Sequence, residues 1–236
     1  MNFDKVGEIE MGYPPVACRL KLGAQGMHEF GGCRRSLRIS GAKLPKPLHH
    51  FLTLDLKDPF CPVRAKAFSR LPLLYPLLYG AGGGEIQYKV ISDDEVQIFH
   101  LSEVYADDPY VDHNELPARR ARLVPLSYTE ERLLCARQGG FARKLSTYDR
   151  WLLAGCDKGL PFRVGGELTS CQGNIWAKCR NPGCQVSDNV PISIVAVIPA
   201  SSFQLGDVWG QFSDDVEFCF GLCPYCGTVH AENRCT

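Results

Sequence analysis

Four cysteines constrain this chain more than any other feature. Cys223-Pro224-Tyr225-Cys226-Gly227 places two residues between its cysteines. That spacing lets both sulfurs and the nearby backbone amides converge on one metal ion. The proline stiffens the turn, and the glycine allows the left-handed backbone that completes it. Cys179-Arg180-Asn181-Pro182-Gly183-Cys184 supplies a second pair, with four intervening residues and its own Pro-Gly turn. Two to four intervening residues is the usual range for a zinc pair. Four thiolates close a tetrahedron and leave no position for water, so the spacing predicts one structural Zn2+ held by Cys179, Cys184, Cys223 and Cys226. Cys171, Cys219, His230 and Cys235 each stand near enough in sequence to replace one of the four. A redox role for the CxxC pair would call for a βαβ setting, and none is evident.

Twelve cysteines in one chain need a compartment to match. The N-terminal residues lack a basic segment followed by an apolar one, and no run approaches the roughly 18 apolar residues of a membrane helix. The expectation is a soluble cytoplasmic protein, in which paired cysteines are metal ligands and the unpaired Cys18, Cys33, Cys61, Cys135 and Cys156 are buried thiols.

The periodicities predict an α+β, mainly β fold: two similar β-rich halves linked by helices, with the C-terminal half stapled by zinc. The N-terminal half runs over 1–117. In it Leu52, Leu54 and Leu56 share one face of a strand, and 85–101 forms a hairpin around Ser92-Asp93-Asp94. The helical linker runs over 118–160. Ser127-Tyr128-Thr129-Glu130 has capping-box spacing, and Phe141, Leu145, Tyr148 and Leu152 share a helical face extended by Trp151. The zinc-binding half runs over 161–236. There Ile192–Ile198 reads as a central buried strand, and a late hairpin leads into Cys223. A weak repeat links the halves: Gly31-Gly32 and Gly165-Gly166 each precede a hydrophobic strand.

The sequence offers no recognisable catalytic constellation. His28-Glu29 is not an HExxH motif, and Gly80–Glu85 fits neither a Walker loop nor a dinucleotide fingerprint. In Cys33–Arg38 the arginine arrives one residue early for a phosphate-binding loop, and Asp112-His113-Asn114 lacks a third partner. An enzyme with an unrecognised cleft between the halves would use the acidic and histidine side chains of 93–115.

Charge sums to zero over the chain but is uneven. Residues 118–163 carry ten basic against four acidic residues, and 164–236 carry three against seven. Asp214, Asp215, Glu217 and Glu232 near the cysteines disfavour nucleic acid, the alternative ligand for a zinc ribbon. The favoured reading is a non-enzymatic protein-binding module.

In the order and spacing of Val164-Gly165-Gly166, Gln172–Trp176, the cysteine pair, Ile192–Ile198, Trp209 and Val216–Cys226, the chain resembles the YwqG-like family of bacterial proteins of unknown function. That resemblance implies two similar β-sheet halves and no assignable catalytic residues. It also implies immunity against a bacterial toxin as a role, which the acidic C-terminal third would suit if the toxin were basic.

Overall fold

Strands account for nearly all of the regular structure. A computed structural model describes residues 9–11, 17–32, 37–42, 48–76, 84–102, 116–127, 129–131, 146–147, 162–166, 173–186, 188–199 and 216–235. Among them the strands run β1 (Ile9–Met11), β2 (Cys18–Gly23), β3 (His28–Phe30), β4 (Arg38–Gly41), β5 (His49–Asp55), β6 (Val63–Ala65), β7 (Arg70–Tyr75) and β8 (Glu85–Ser92). They continue as β9 (Glu95–Leu101), β10 (Arg119–Pro125), β11 (Arg163–Val164), β12 (Trp176–Lys178), β13 (Asn189–Pro191), β14 (Ser193–Pro199), β15 (Val216–Leu222) and β16 (Val229–Cys235). Twelve of them form one sheet in the order β4-β9-β8-β16-β15-β14-β11-β2-β10-β3-β5-β7, with β1-β6 and β12-β13 as separate two-stranded ribbons. The β4–β9 pair is parallel and its neighbours in the sheet are antiparallel.

This architecture corrects the expectation of an α+β fold with two β-rich halves linked by helices. The described residues are almost entirely β, and strands from both ends of the chain interleave in a single sheet. β11, β14, β15 and β16 lie in its middle, flanked by β2 on one side and β8 on the other. The cause is non-local pairing. β2 bonds to β10 along one edge and to β11 along the other, so the segment expected to be a linker leaves and re-enters the same sheet. β10 itself occupies the start of that segment. Of its helices, the described residues show one turn at 129–131 and a further helical residue at Thr147. The capping box that starts it is formed: the Glu130 amide donates to Ser127 Oγ at 3.2 Å, and the Ser127 amide donates to Glu130 Oε2 at 2.8 Å. Phe141, Leu145, Tyr148, Trp151 and Leu152 lie outside the described residues.

The glycine pairs mark the same local structure twice. Gly31 and Gly165 both have positive φ (63° and 72°), as do Gly32 and Gly166. Gly31 N donates to Phe51 O at 3.0 Å, and Gly165 N donates to Val195 O at 2.9 Å. Each pair therefore ends one strand (β3, β11) beside its antiparallel partner (β5, β14).

The long sheet curls until one end covers its own middle. Phe51 of β5 stacks on Phe218 and Phe220 of β15, with ring centroids 5.0 and 5.5 Å apart, and Tyr75 of β7 meets Phe218 at 5.5 Å. The main core lies inside this curl and takes Ile86, Tyr88, Val90, Val229 and Ala231 from β8 and β16. Strand alternation sends Glu85, Gln87, Cys219, His230 and Glu232 to the opposite face. There the β12–β13 ribbon forms a second small core, packing Ile175, Ala177, Val190 and Ile192 against Val197 and Cys219.

The β8–β9 hairpin turns at Asp93-Asp94. Asp93 accepts hydrogen bonds from Ser69 N (2.6 Å), Ser69 Oγ (2.7 Å) and Arg70 N (3.0 Å), which tie the turn to the start of β7. Burial pushes the Asp93 carboxyl up, but these bonds and the Arg70 charge outweigh it, and the group lies below its ordinary 3.8. Asp93→Ala is expected to cost about 1–2 kcal/mol after allowance for its solvent exposure. A depressed carboxyl stabilises the fold fully above its ordinary value and loses that contribution as pH falls through the folded value. Urea titrations should therefore show a gap between wild type and Asp93→Ala that is present at neutral pH and closes in strong acid.

Candidate metal centre

Two hairpins meet at the four sulfurs. The loop after β12 brings Cys179 and Cys184, and the β15–β16 turn brings Cys223 and Cys226. One sulfur from each lies within 4.8 Å of all the others. Cys179 Sγ is 3.5 Å from Cys226 Sγ, and Cys184 Sγ is 3.9 Å from Cys223 Sγ. A tetrahedral ion with metal–sulfur bonds of about 2.3 Å sets its sulfurs about 3.8 Å apart, so the donor set fits a four-thiolate metal ion. These contacts are well beyond a disulfide bond, and all four cysteines are free.

Each pair is shaped by its turn. Cys184 N donates to Asn181 O at 2.9 Å, closing a tight turn through Pro182-Gly183. Gly227 takes a φ of 70° and donates its amide to Cys223 O at 2.9 Å, while Cys223 N donates to Thr228 O at 2.8 Å. A side-chain bridge joins the two turns. Asn181 Nδ2 donates to Thr228 Oγ1 at 3.1 Å, Thr228 Oγ1 lies 3.1 Å from Cys226 Sγ, and Gly183 N donates to Asn181 Oδ1 at 2.9 Å.

Electrostatically the sulfurs share charge. Hydrogen bonds from Cys179 and Cys223 hold the Cys226 thiol far below its ordinary value, with further help from Thr228. Cys179 is pushed up by its hydrogen bonds to Cys223 and Cys226 and by burial. For Cys223 the bond to Cys179 lowers the pKa, but the bond to Cys226 and burial prevail and raise it to about 11.

Gln87 of β8 reaches the site from the sheet. It is buried, its Nε2 donates to Lys178 O at 2.9 Å, and its Oε1 accepts from Arg180 N at 2.8 Å. It thus grips the backbone on both sides of Cys179. Outer-shell partners of this kind are worth roughly 10–100-fold in metal affinity. Gln87→Ala is expected to weaken metal binding about tenfold, as read by competition with a chromophoric chelator, while leaving one ion per chain at saturation.

The four cysteines that the spacing singles out are thus brought together. No family model, curated protein or solved structure matches the chain.

Two of the alternative ligands fall elsewhere. Cys219 is buried beneath the ribbon and stands apart from the four-sulfur group. His230 belongs to a separate group with Glu85 and Glu232. Cys171 and the side chain of Cys235 lie outside the described residues, as do Cys33, Cys135, Cys156 and Asp112-His113-Asn114. Cys18 and Cys61 are buried thiols, both raised to about 11 chiefly by burial. His28 is structural: its Nδ1 accepts from Asp55 N at 3.0 Å, and its Nε2 donates to Asp58 Oδ2 at 2.8 Å.

Sequence reading missed Gln87 and the surroundings of His230. The alternation Val229–Cys235, set beside Glu85-Ile86-Gln87, was the available signal, since it places His230 and Glu232 on one face of a strand. The register β16–β8, which pairs His230 with Gln87 and Glu232 with Glu85, was not readable locally. Among the described residues, no helix is long and apolar enough to cross a membrane.

Proposed function

We propose that the protein is a cytoplasmic protein-binding module whose recognition surface is held in shape by a structural zinc ion at Cys179, Cys184, Cys223 and Cys226. Four sulfurs at tetrahedral spacing favour zinc over harder ions, and a full set of thiolates leaves the metal no open position for catalysis. Free thiols as ligands fit a reducing compartment.

The observation that carries the binding role is a pair of exposed aromatics beside the ligands. Trp176 is 60% exposed on β12, and Tyr225 is 67% exposed between Cys223 and Cys226. Large aromatics are the residues most often found as binding anchors, and a strand and a turn that each lead into the ligands present these two with little ordering cost. The acidic excess supports the reading less than composition implies. Glu217 is buried 3.8 Å from Arg163, and Glu232 is paired with His230 and Arg234, so neither presents a free charge to a basic partner or repels phosphate. Immunity against a bacterial toxin is the specific role that the resemblance of residues 164–230 to YwqG-like proteins brings to this reading.

The test is affinity capture by the zinc-loaded protein beside a Trp176→Ala, Tyr225→Ala double variant. A protein retained by the wild type and lost from the variant, at equal zinc content, is the expected result. Failure of the wild type to retain any protein overturns the proposal.

A further inference from the structure

Beside the sulfur site, on the same face of the sheet, β8, β9 and β16 bring two histidines and two glutamates together. His230 is 2% exposed and its neighbours Glu232 and Glu85 are 17% and 28% exposed. His230 Nε2 donates to Glu232 Oε2 at 2.8 Å, and Glu232 is held in turn through its other oxygen by Arg234 Nε. That contact occupies Nε2 and leaves Nδ1 facing Glu85. Nδ1 is buried without a hydrogen-bond partner, and it stands 3.9 Å from Glu85 Oε2. His230, Glu85 and Glu232 each offer one ligand atom, and these atoms all lie within 4.8 Å of one another, close enough to share one ion. Donors bonded at about 2.0–2.2 Å stand about 3.3 Å apart on a tetrahedral ion and about 4 Å apart across an octahedral one, so 3.9 Å is within the reach of a single ion after a small side-chain adjustment.

We propose that His230 Nδ1 and Glu85 bind a second divalent transition-metal ion, distinct from the four-sulfur site. Glu232 holds His230 from behind through Nε2, the outer-shell carboxylate commonly found on a metal-bound imidazole. His100 Nε2, 3.0 Å from Glu85 Oε1, is the nearest further nitrogen and steadies the other carboxylate oxygen. Imidazole with carboxylate selects zinc, cobalt or nickel over magnesium and calcium. With two protein ligands and a partly exposed rim at Glu85 and His100, this site retains water, unlike the closed thiolate site.

The two sites are separable by spectroscopy. Protein carrying one tightly held zinc is titrated with Co2+, which gives weak d–d bands with nitrogen and oxygen ligands and intense charge-transfer bands only with thiolates. The expected result is a second equivalent of metal that shows weak bands and no thiolate absorption. Glu85→Gln and His230→Gln should each weaken that uptake at least tenfold while the tight zinc remains. Glu85→Gln decides the matter alone if the buried His230→Gln chain does not fold, since Glu85 is partly exposed. No second equivalent at millimolar cobalt, or equal uptake by wild type and Glu85→Gln, overturns the proposal. The tight zinc is counted separately, so this failure is distinct from failure of the structural site.

Discussion

Replacing Cys223 by serine is expected to abolish binding of the proposed zinc ion and to unfold the β12–β13 ribbon while the main sheet survives. The asymmetry follows from where the apolar surface lies. The main core runs through β2, β5, β7, β8, β15 and β16 and is closed by ring contacts between β5, β7 and β15. Among the described residues the β12–β13 ribbon has, besides the ligand cysteines and Val186, only the small cluster of Ile175, Ala177, Val190 and Ile192 against Ile194, Val197 and Cys219 beneath it. It is tied to the sheet by Gln87 and by the Asn181–Thr228 bond, and the proposed zinc ion would add a third tie. An isolated two-stranded ribbon is marginal in water, so the ion supplies much of its hold. At free zinc a hundred times the dissociation constant, the ion contributes about 2.7 kcal/mol, and more at higher saturation. Amide exchange should report the loss: protection at Ala177 and Val190 falls in Cys223→Ser or after chelation, while that of Leu52 and Leu54 persists. The apolar residues so uncovered should also lower solubility. Cys219→Ala is the control. Cys219 shares the cluster but not the sulfur group, so that variant should keep its zinc. Metal-free wild type with the ribbon still protected would refute the structural role.

The contrast between ligands and topology shows what a chain of this kind reveals in advance. Cys179, Cys184, Cys223 and Cys226 were legible because each pair depends on a turn of a few residues, and turn chemistry is local. The 85–101 hairpin and the Ser127–Glu130 capping box were legible for the same reason. The sheet order was not, because β2 sits between strands some 100 residues further along in one direction of pairing and nearly 150 in the other. Periodicity says that a strand has two buried faces; it does not say which strand lies beside it. Leu52 and Leu54 illustrate the limit. Their alternation was read as one buried face, yet Thr53 between them is also buried. Arg163 and Glu217 carry the same lesson, since neither shows in sequence that it will be buried with the other.

Tyr88→Phe should be the most damaging single-atom deletion in the main core. β7 ends the sheet, and β5 pairs with only one of its edges. The curl carries the other edge over β8, where water cannot serve its backbone groups. Tyr88 serves them instead: its fully buried hydroxyl donates to Pro72 O at 2.8 Å and accepts from Leu74 N at 2.9 Å. Pro72 has no amide to satisfy, which suits a strand at an edge. Phenylalanine keeps the ring and its packing but leaves one carbonyl and one amide buried without partners, at about 1–3 kcal/mol each, so a loss of about 2–4 kcal/mol is expected in chemical denaturation. Burial raises the Tyr88 phenol well above its ordinary 10, since the ionised ring would be stranded in the core. The bond therefore stabilises the fold below pH 10 and is lost only as pH rises beyond it, so the gap between wild type and Tyr88→Phe should hold constant from neutral to mildly alkaline pH. Faster exchange of the Leu74 amide would locate the damage at the strand edge. An uncovered edge carrying Leu71, Leu73 and Leu74 also invites pairing between chains, so the variant should associate more readily with rising concentration. An unchanged denaturation midpoint would show that β7 meets its backbone needs in some other way and that Tyr88 only fills space.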